Sequence, residues 1–451
     1  MRRLTLLFLF LPITLIAQKN YPALLDSYMQ AEVKINEFTG AILVAQKGKI
    51  IYETAFGFAD KEWHTRNTIQ SKFEIGSITK QFTAAAILQL AEKGKINLND
   101  PLSKFIPGFN SGDSITIHML LNHTSGLRDF EFDPQFAVLA ESQLLANNTR
   151  YLNDTLVNYF KKNPYDFPAG TQWKYSNTGY FLLGYIIEKI TGQTYSDYVL
   201  HHVIQKAGLK NTLINPWDSI IPYRARGYTK TMEGWKNASY LPMEIPYSAG
   251  NMISTVEDLY HWHTALFSGK VISYTMFQKM ITPYLGHYGY AFWIDSFKHQ
   301  LRIYHSGGIN GFASDIAFFP KNDLFITVLS NNENTYAPGI ANTLAAILFD
   351  IPVEKPYHHK EVVIDSSFLA HYAGQYQRTG ISGEYKMLVK GGNLYWGLPS
   401  GRVIPLKPES NTKFFIEKDP YVQFEFNEDS TGKVTKAYFI EAGVKTEMKR
   451  L

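Results

Sequence analysis

Strand-like runs stand on both sides of a long helical stretch, and that split order limits the chain to folds whose sheet is assembled from two distant pieces. Ala41 to Ala45 and Ile50 to Ala55 read as two short strands turned by Lys47, Gly48 and Lys49. Before them, Tyr21 to Val33 carries apolar residues at helical spacing. From Ile78 to about residue 280 the pattern is mainly helical, broken by loops such as Asn122 to Gly126 and Phe167 to Gly170. Strand signals return at Tyr288 to Ile294, Leu301 to His305, Phe312 to Phe319 and Leu324 to Leu329, with Pro320 to Asp323 turning the last two. Ile340 to Phe349 reads as a closing helix. The expected class is α/β (α+β): one antiparallel sheet flanked by helices, a helical subdomain inserted in the middle, and an active site where the layers meet.

At 451 residues the chain is too long for one ordinary domain, and with 45% hydrophobic and 19% charged residues it has apolar surface for a large core. Beyond Asp350 a linker-like stretch holds Pro352, Pro356, His358 and His359. From about Tyr372, short runs such as Tyr385 to Val389, Tyr421 to Phe426 and Ala437 to Ile440 alternate with Gly, Asn and Asp turns, the pattern of a small all-β domain. The first residues read as a secretory leader: Arg2 and Arg3, an apolar run from Leu4 to Ile16, then the small Ala17. That run is shorter than the ~20 residues of a spanning helix, so no stable membrane anchor is expected and the expected location is the periplasm or outside the cell. The expected division is 1–17 signal peptide, 18–355 main domain, and 356–451 linker and all-β domain. There is no cysteine, which excludes disulfides, thiolate metal sites and a cysteine nucleophile. The net charge is +4, two of it from leader arginines, and no long Lys/Arg cluster exists to track phosphates, so nucleic acid is not an expected partner.

Three short motifs carry the chemistry. Ser77-Ile78-Thr79-Lys80 opens a helix that is apolar nearly all round, from Ala84 to Leu90, with a stop at Gly94. A serine at that start meets unpaired N–H groups and the positive end of the helix dipole. Lys80 lies on the same face, where a dry lysine either loses its charge and acts as a base or keeps it and lowers a neighbour's pKa. Tyr175-Ser176-Asn177 follows the loop Pro168-Ala169-Gly170. A tyrosine becomes a base at neutral pH only beside a cation, and Asn177 has a carbonyl for Lys80 and an amide for a substrate. His305-Ser306-Gly307-Gly308 ends a predicted strand. Its glycines admit a substrate backbone, the Gly308 N–H can join that of Ser77 as an oxyanion hole, and His305 can donate to a carboxylate or to the tyrosine oxygen. Singly, each motif also reads as a helix cap, a structural turn or a glycine-rich turn, and look-alikes occur at Ser410 to Lys413, Ser430 to Lys433, Tyr151 to Asn153 and His287 to Gly289.

Taken in order and context, the three resemble the motifs of the penicillin-recognising serine hydrolases, in the branch of class C β-lactamases, D,D-carboxypeptidases, D-aminopeptidases and related esterases. Ser77, Lys80, Tyr175, Asn177, His305 and Gly307 stand in the family's places. Phe73 to Lys80, Leu120 to Leu127, Ser248 to Asn251 with Ser254 and Thr255, and Tyr288 to Tyr290 are similar as well, so the likeness covers most of residues 35 to 350. The tail from about residue 365 resembles the lipocalin-like β domain appended to some members.

The resemblance implies an acyl-enzyme through Ser77, with Lys80 and Tyr175 as its catalytic partners and Asn177, His305, Ser306, Gly307 and Gly308 binding substrate and oxyanion. Tyr175, kept anionic by Lys80, would take the Ser77 proton, and water would release the acyl group. No cofactor and no metal are expected; His261 with His263 and His358 with His359 lack the spacing of a zinc site, and His123 reads as structural. The expected substrate is a small D-amino-acid peptide, cell-wall-derived ones among the candidates, or an ester fitting the same slot. A class C-like β-lactamase and a non-catalytic peptidoglycan- or β-lactam-binding protein are the alternatives, and the oligomeric state stays open. Class C β-lactamases usually carry lysine where this chain has His305. A histidine of ordinary pKa ~6.5 would lose its grip on anionic substrates above about pH 7.

Overall fold

The computed structural model describes residues 19–145, 152–215, 219–379, 384–429 and 433–451. The expected leader lies outside the described residues. Helix α1 (Tyr21–Ile35) precedes the hairpin of β1 (Gly40–Gln46) and β2 (Lys49–Phe56). The insertion that follows contains α2 (Thr79–Glu92), α3 (Asn177–Thr191) and α4 (Val256–Phe267). Then come β3 (Trp293–Phe297), β4 (Gln300–Ile309), β5 (Phe312–Phe319), β6 (Leu324–Ser330) and α5 (Ala337–Leu348).

The six strands form one antiparallel sheet in the order β3-β4-β5-β6-β1-β2, so the two ends of the domain meet at the β6/β1 seam, with Gly40 opposite Ser330 and Gln46 opposite Leu324. Side chains alternate along a strand. Ala41, Leu43 and Ala45 therefore pack with the helical insertion, while Ile42 and Val44 pack with α1 and α5 on the other face. Burial on both faces is why β1 reads as an unbroken apolar run.

Two strand expectations shift. Tyr288 is extended but makes only an isolated bridge to Trp293; Ala291 takes φ +60, and the continuous strand begins only at Trp293. In the other direction, β4 runs straight through His305 to Gly308 and ends at Ile309, so the glycines lie within a strand and form no turn.

The tail folds into a closed eight-stranded barrel: β7 (Gly374–Arg378), β8 (Glu384–Lys390), β9 (Asn393–Gly397), β10 (Val403–Pro408), β11 (Lys413–Ile416), β12 (Asp419–Glu428), β13 (Val434–Glu441) and β14 (Val444–Arg450), with β7 paired to β14. Tyr376, Leu394, Phe414, Phe424, Phe426 and Phe439 fill it. The barrel docks on the α1/α5 face. The Tyr421 hydroxyl donates to Glu32 Oε2 at 3.3 Å, Thr343 Oγ1 donates to the Ala442 carbonyl at 2.6 Å, and the Tyr336 hydroxyl donates to Glu441 Oε1 at 3.0 Å. Glu32 is wholly buried; it also accepts from Tyr28 at 2.6 Å and Asn36 at 2.8 Å, and burial holds its pKa above the usual carboxylate value. Among the described residues no helix is long and apolar enough to cross a membrane.

Candidate active site

The chain enters α2 through a single 3-10 turn, Gly76–Ile78. Gly76 takes φ +49, and a Cβ there would stand 2.8 Å from the Gly308 carbonyl oxygen, so only glycine lets the helix start lie against β4. Gly307 closes the contact from the other side: a Cβ on it would meet the Ile75 carbonyl oxygen at 2.1 Å. Two glycines on separate elements thus bring Ser77 to the strand.

Ser77 makes no capping bond to the helix. Its hydroxyl is held by Lys80, with Nζ 2.9 Å from Oγ. The same Nζ lies 2.7 Å from Asn177 Oδ1 and 2.8 Å from the Ala249 carbonyl oxygen. Lys80 has no exposed surface, and burial brings its pKa down to about 7 against the opposing pull of Asp129 and Glu131. Its three oxygen partners suit either protonation state. An ammonium donates to all three, whereas a neutral amine donates to Asn177 and Ala249 and turns its lone pair to the Ser77 hydroxyl.

Tyr175 departs from the expected phenolate. Burial raises its pKa, Ser77 lowers it by a smaller amount, and Asp129 and Glu131 add to the rise. Lys80 faces the ring, 4.9 Å from its centroid, and the Tyr175 hydroxyl is buried without a closed hydrogen bond. Lys80 is accordingly the group that exchanges a proton near neutral pH, and Tyr175 stays protonated. Asn177, at the first position of α3, accepts from Lys80 and donates through Nδ2 to Asp129 Oδ2 at 3.1 Å and Glu131 Oε2 at 2.9 Å.

His305 also differs from expectation. It is buried, its Nδ1 lies 2.6 Å from the Ser306 carbonyl oxygen and its Nε2 lies 2.8 Å from the Tyr288 hydroxyl. The carbonyl can only accept, so Nδ1 carries the hydrogen and Nε2 accepts from Tyr288. Burial, reinforced by Lys80, lowers its pKa to about 3. His305 is thus neutral with both nitrogens engaged, and the expected loss of anion binding above pH 7 has no basis in it. Ser306 points through the sheet to the α5 side, where its hydroxyl donates to Asp315 Oδ1 at 2.7 Å. Gly307 and Gly308 lie beside Ile75 and Gly76. Because Trp293 sits opposite Tyr304, β4 outruns β3, and among the described residues no strand lies beside its outer edge from His305 to Ile309.

Sequence reasoning missed Asp129 and Glu131, the cap and the middle residue of a single 3-10 turn (Phe130–Phe132) with no periodic signal, and the part of Tyr288 in the site, noted only as the start of a strand and of a similar stretch. Of the look-alikes, Ser410 merely accepts the Lys413 N–H in a turn, while Ser430 and Tyr151 lie outside the described residues. His263 is packed against Phe267, Phe318 and Phe325, as a core ring would be.

The Beta-lactamase family profile matches residues 25–349. The chain belongs to the Beta-lactamase family. Within this family of serine hydrolases it is 29% identical over 430 residues to penicillin-binding protein 4* of Bacillus subtilis (strain 168), covering 88% of this chain and 92% of that one. Among solved structures, a penicillin binding protein from Bacillus halodurans superposes with a TM-score of 0.62 at 28% identity, over 72% of this chain and 99% of the other. A D-stereospecific amidohydrolase from Streptomyces sp. gives 0.60 at 28% identity, over 69% and 94%.

Proposed function

We propose that this Beta-lactamase-family protein hydrolyses amides or esters of D-amino acids through an acyl-enzyme on Ser77, with neutral Lys80 as the base. The observation that carries the reading is the dry Lys80 amine, 2.9 Å from the Ser77 hydroxyl and poised to titrate at about 7. Ser77 Oγ attacks the carbonyl carbon as its proton passes to Lys80 Nζ. Backbone N–H groups of Ser77 and Gly308 receive the oxyanion. The bond to the leaving nitrogen then breaks as Tyr175, still protonated, hands its hydroxyl proton to that nitrogen and regains one from Lys80. Water repeats the sequence on the ester to free the acid. The open β4 edge supports an extended substrate main chain lying alongside it.

Charge supports a substrate bearing a free ammonium. Asp129 and Glu131 border Asn177 at the site, whereas His305 is neutral and already paired. The D preference draws on the resemblance and on the named activity of the Streptomyces sp. protein. Residues 1–17, with their basic start and apolar run, support export to the periplasm or beyond.

One purified sample tested on a D-amino-acid amide, its N-acetylated counterpart, an acyl-D-alanyl-D-alanine and a chromogenic cephalosporin decides the matter. The free-amine amide should be turned over fastest, with a fluorophosphonate labelling Ser77. Faster turnover of the cephalosporin would make this a β-lactamase, and a label on another serine would remove Ser77 from the mechanism.

A further inference from the structure

We infer that His123 is a positioning residue for Tyr175, holding it over Lys80 by clamping the backbone on both sides of it. The inference rests on the reading of Tyr175 as the proton relay. The Tyr175 hydroxyl makes no closed hydrogen bond, and the group its tip interacts with is the Ser77 hydroxyl, itself the reacting atom. Its place must be set by its ring and its main chain, and the segment around it is neither helix nor strand.

Both sides lead to one residue. The Lys174 N–H donates to the His123 carbonyl at 3.1 Å, and the Ser176 N–H donates to His123 Nδ1 at 3.2 Å. The imidazole also lies against the tyrosine, with ring centroids 4.3 Å apart and planes tilted by 38°. His123 can reach both positions because it adopts φ +62, a left-handed conformation that histidine and asparagine tolerate better than most residues. The loop around it is fixed in turn: the Thr124 N–H donates to the Met119 carbonyl, and the Gly170 N–H donates to the Thr124 carbonyl.

The tautomer follows from the clamp. Nδ1 accepts, so the hydrogen sits on Nε2, which is buried without a partner. A buried donor left unpaired costs stability, of a kind that packing alone would have avoided with an apolar ring. The charged form is disfavoured by burial and by Lys80, which keeps Nδ1 free to accept.

The test separates the acceptor from the ring. His123→Asn keeps an acceptor near the Nδ1 position and tolerates the left-handed backbone; His123→Phe keeps the ring and loses the acceptor. kcat/KM for a D-amino-acid amide, whose leaving nitrogen needs the Tyr175 proton, is measured in the wild type, both variants, Tyr175→Phe and the His123→Phe/Tyr175→Phe pair, with fluorophosphonate labelling of Ser77 in the wild type and thermal unfolding of each. We expect the asparagine variant within about tenfold of wild type and the phenylalanine variant about a hundredfold slower, the loss that a misplacement of about 1 Å brings. In the Tyr175→Phe background, His123→Phe should cost no further rate. Equal rates for wild type and His123→Phe overturn the clamp, as does a hundredfold further loss in the Tyr175→Phe background. A wild type whose Ser77 is not labelled overturns the serine reading itself, and the clamp with it.

Discussion

With the pKa of Lys80 brought down to about 7 by burial, the proposed mechanism ties the rate to pH through one side chain. In the proposed mechanism the neutral amine is the working form, so kcat/KM for a substrate whose own charge is constant should rise through about pH 7 and level off above it. Asp129 and Glu131 stabilise the ammonium, so Glu131→Gln should lower the lysine's pKa and move the rising limb to lower pH, as a pH profile on a neutral ester will show. A limb unmoved, or moved upward, would exclude Lys80 as the titrating base. The sequence already marked Ser77, Lys80 and Asn177, because their bonding depends on local spacing and on residue type. It misjudged the charge states of Tyr175 and His305. Those are set by how completely neighbours remote in the chain, such as Tyr288 for His305, exclude water, and no motif encodes that.

At the scale of the strand pair, β4 and β5 carry the site on one face and a buried acid on the other. Asp315 faces Ser306 across the ladder, and burial pushes its carboxyl up to about 7. An unfolded aspartate titrates near ~3.9, so between about 4 and 7 the folded protein binds the extra proton and its stability falls as pH rises through that window. Asp315→Asn keeps an acceptor for the Ser306 hydroxyl but cannot ionise. Its urea midpoint should match that of the wild type below pH 4 and exceed it at pH 8; equal midpoints at both would show that Asp315 is ionised at little cost. The strands themselves were legible where both faces are apolar, as in β1 and β6. The extension of β4 through two glycines was not, since glycine reads as a turn and only the close approach of Ile75 and Gly76 requires it in a strand.

For the whole molecule, buried polar contacts join the barrel to the domain of the six-stranded sheet. Tyr421→Phe removes one of the partners of the fully buried Glu32 and should lower stability by about 1–3 kcal/mol. Urea unfolding will show it, and an unchanged midpoint would mean that Tyr28 and Asn36 satisfy the carboxylate alone. The all-β nature of the tail was plain from its alternating short runs, but its docking face was not, because Glu32 sits in a helix whose sequence gives no sign of a partner at Tyr421. The seam between β1 and β6 bears on time. The first strand to be synthesised waits for a neighbour that ends at Ser330, so its apolar edge stays unsatisfied until nearly the whole domain exists. Such a chain is bound to fold late and slowly, since the loop must close before the pairing rewards it. An interval of that kind leaves the nascent polypeptide threadable, and exposed to aggregation, for as long as its two ends remain apart.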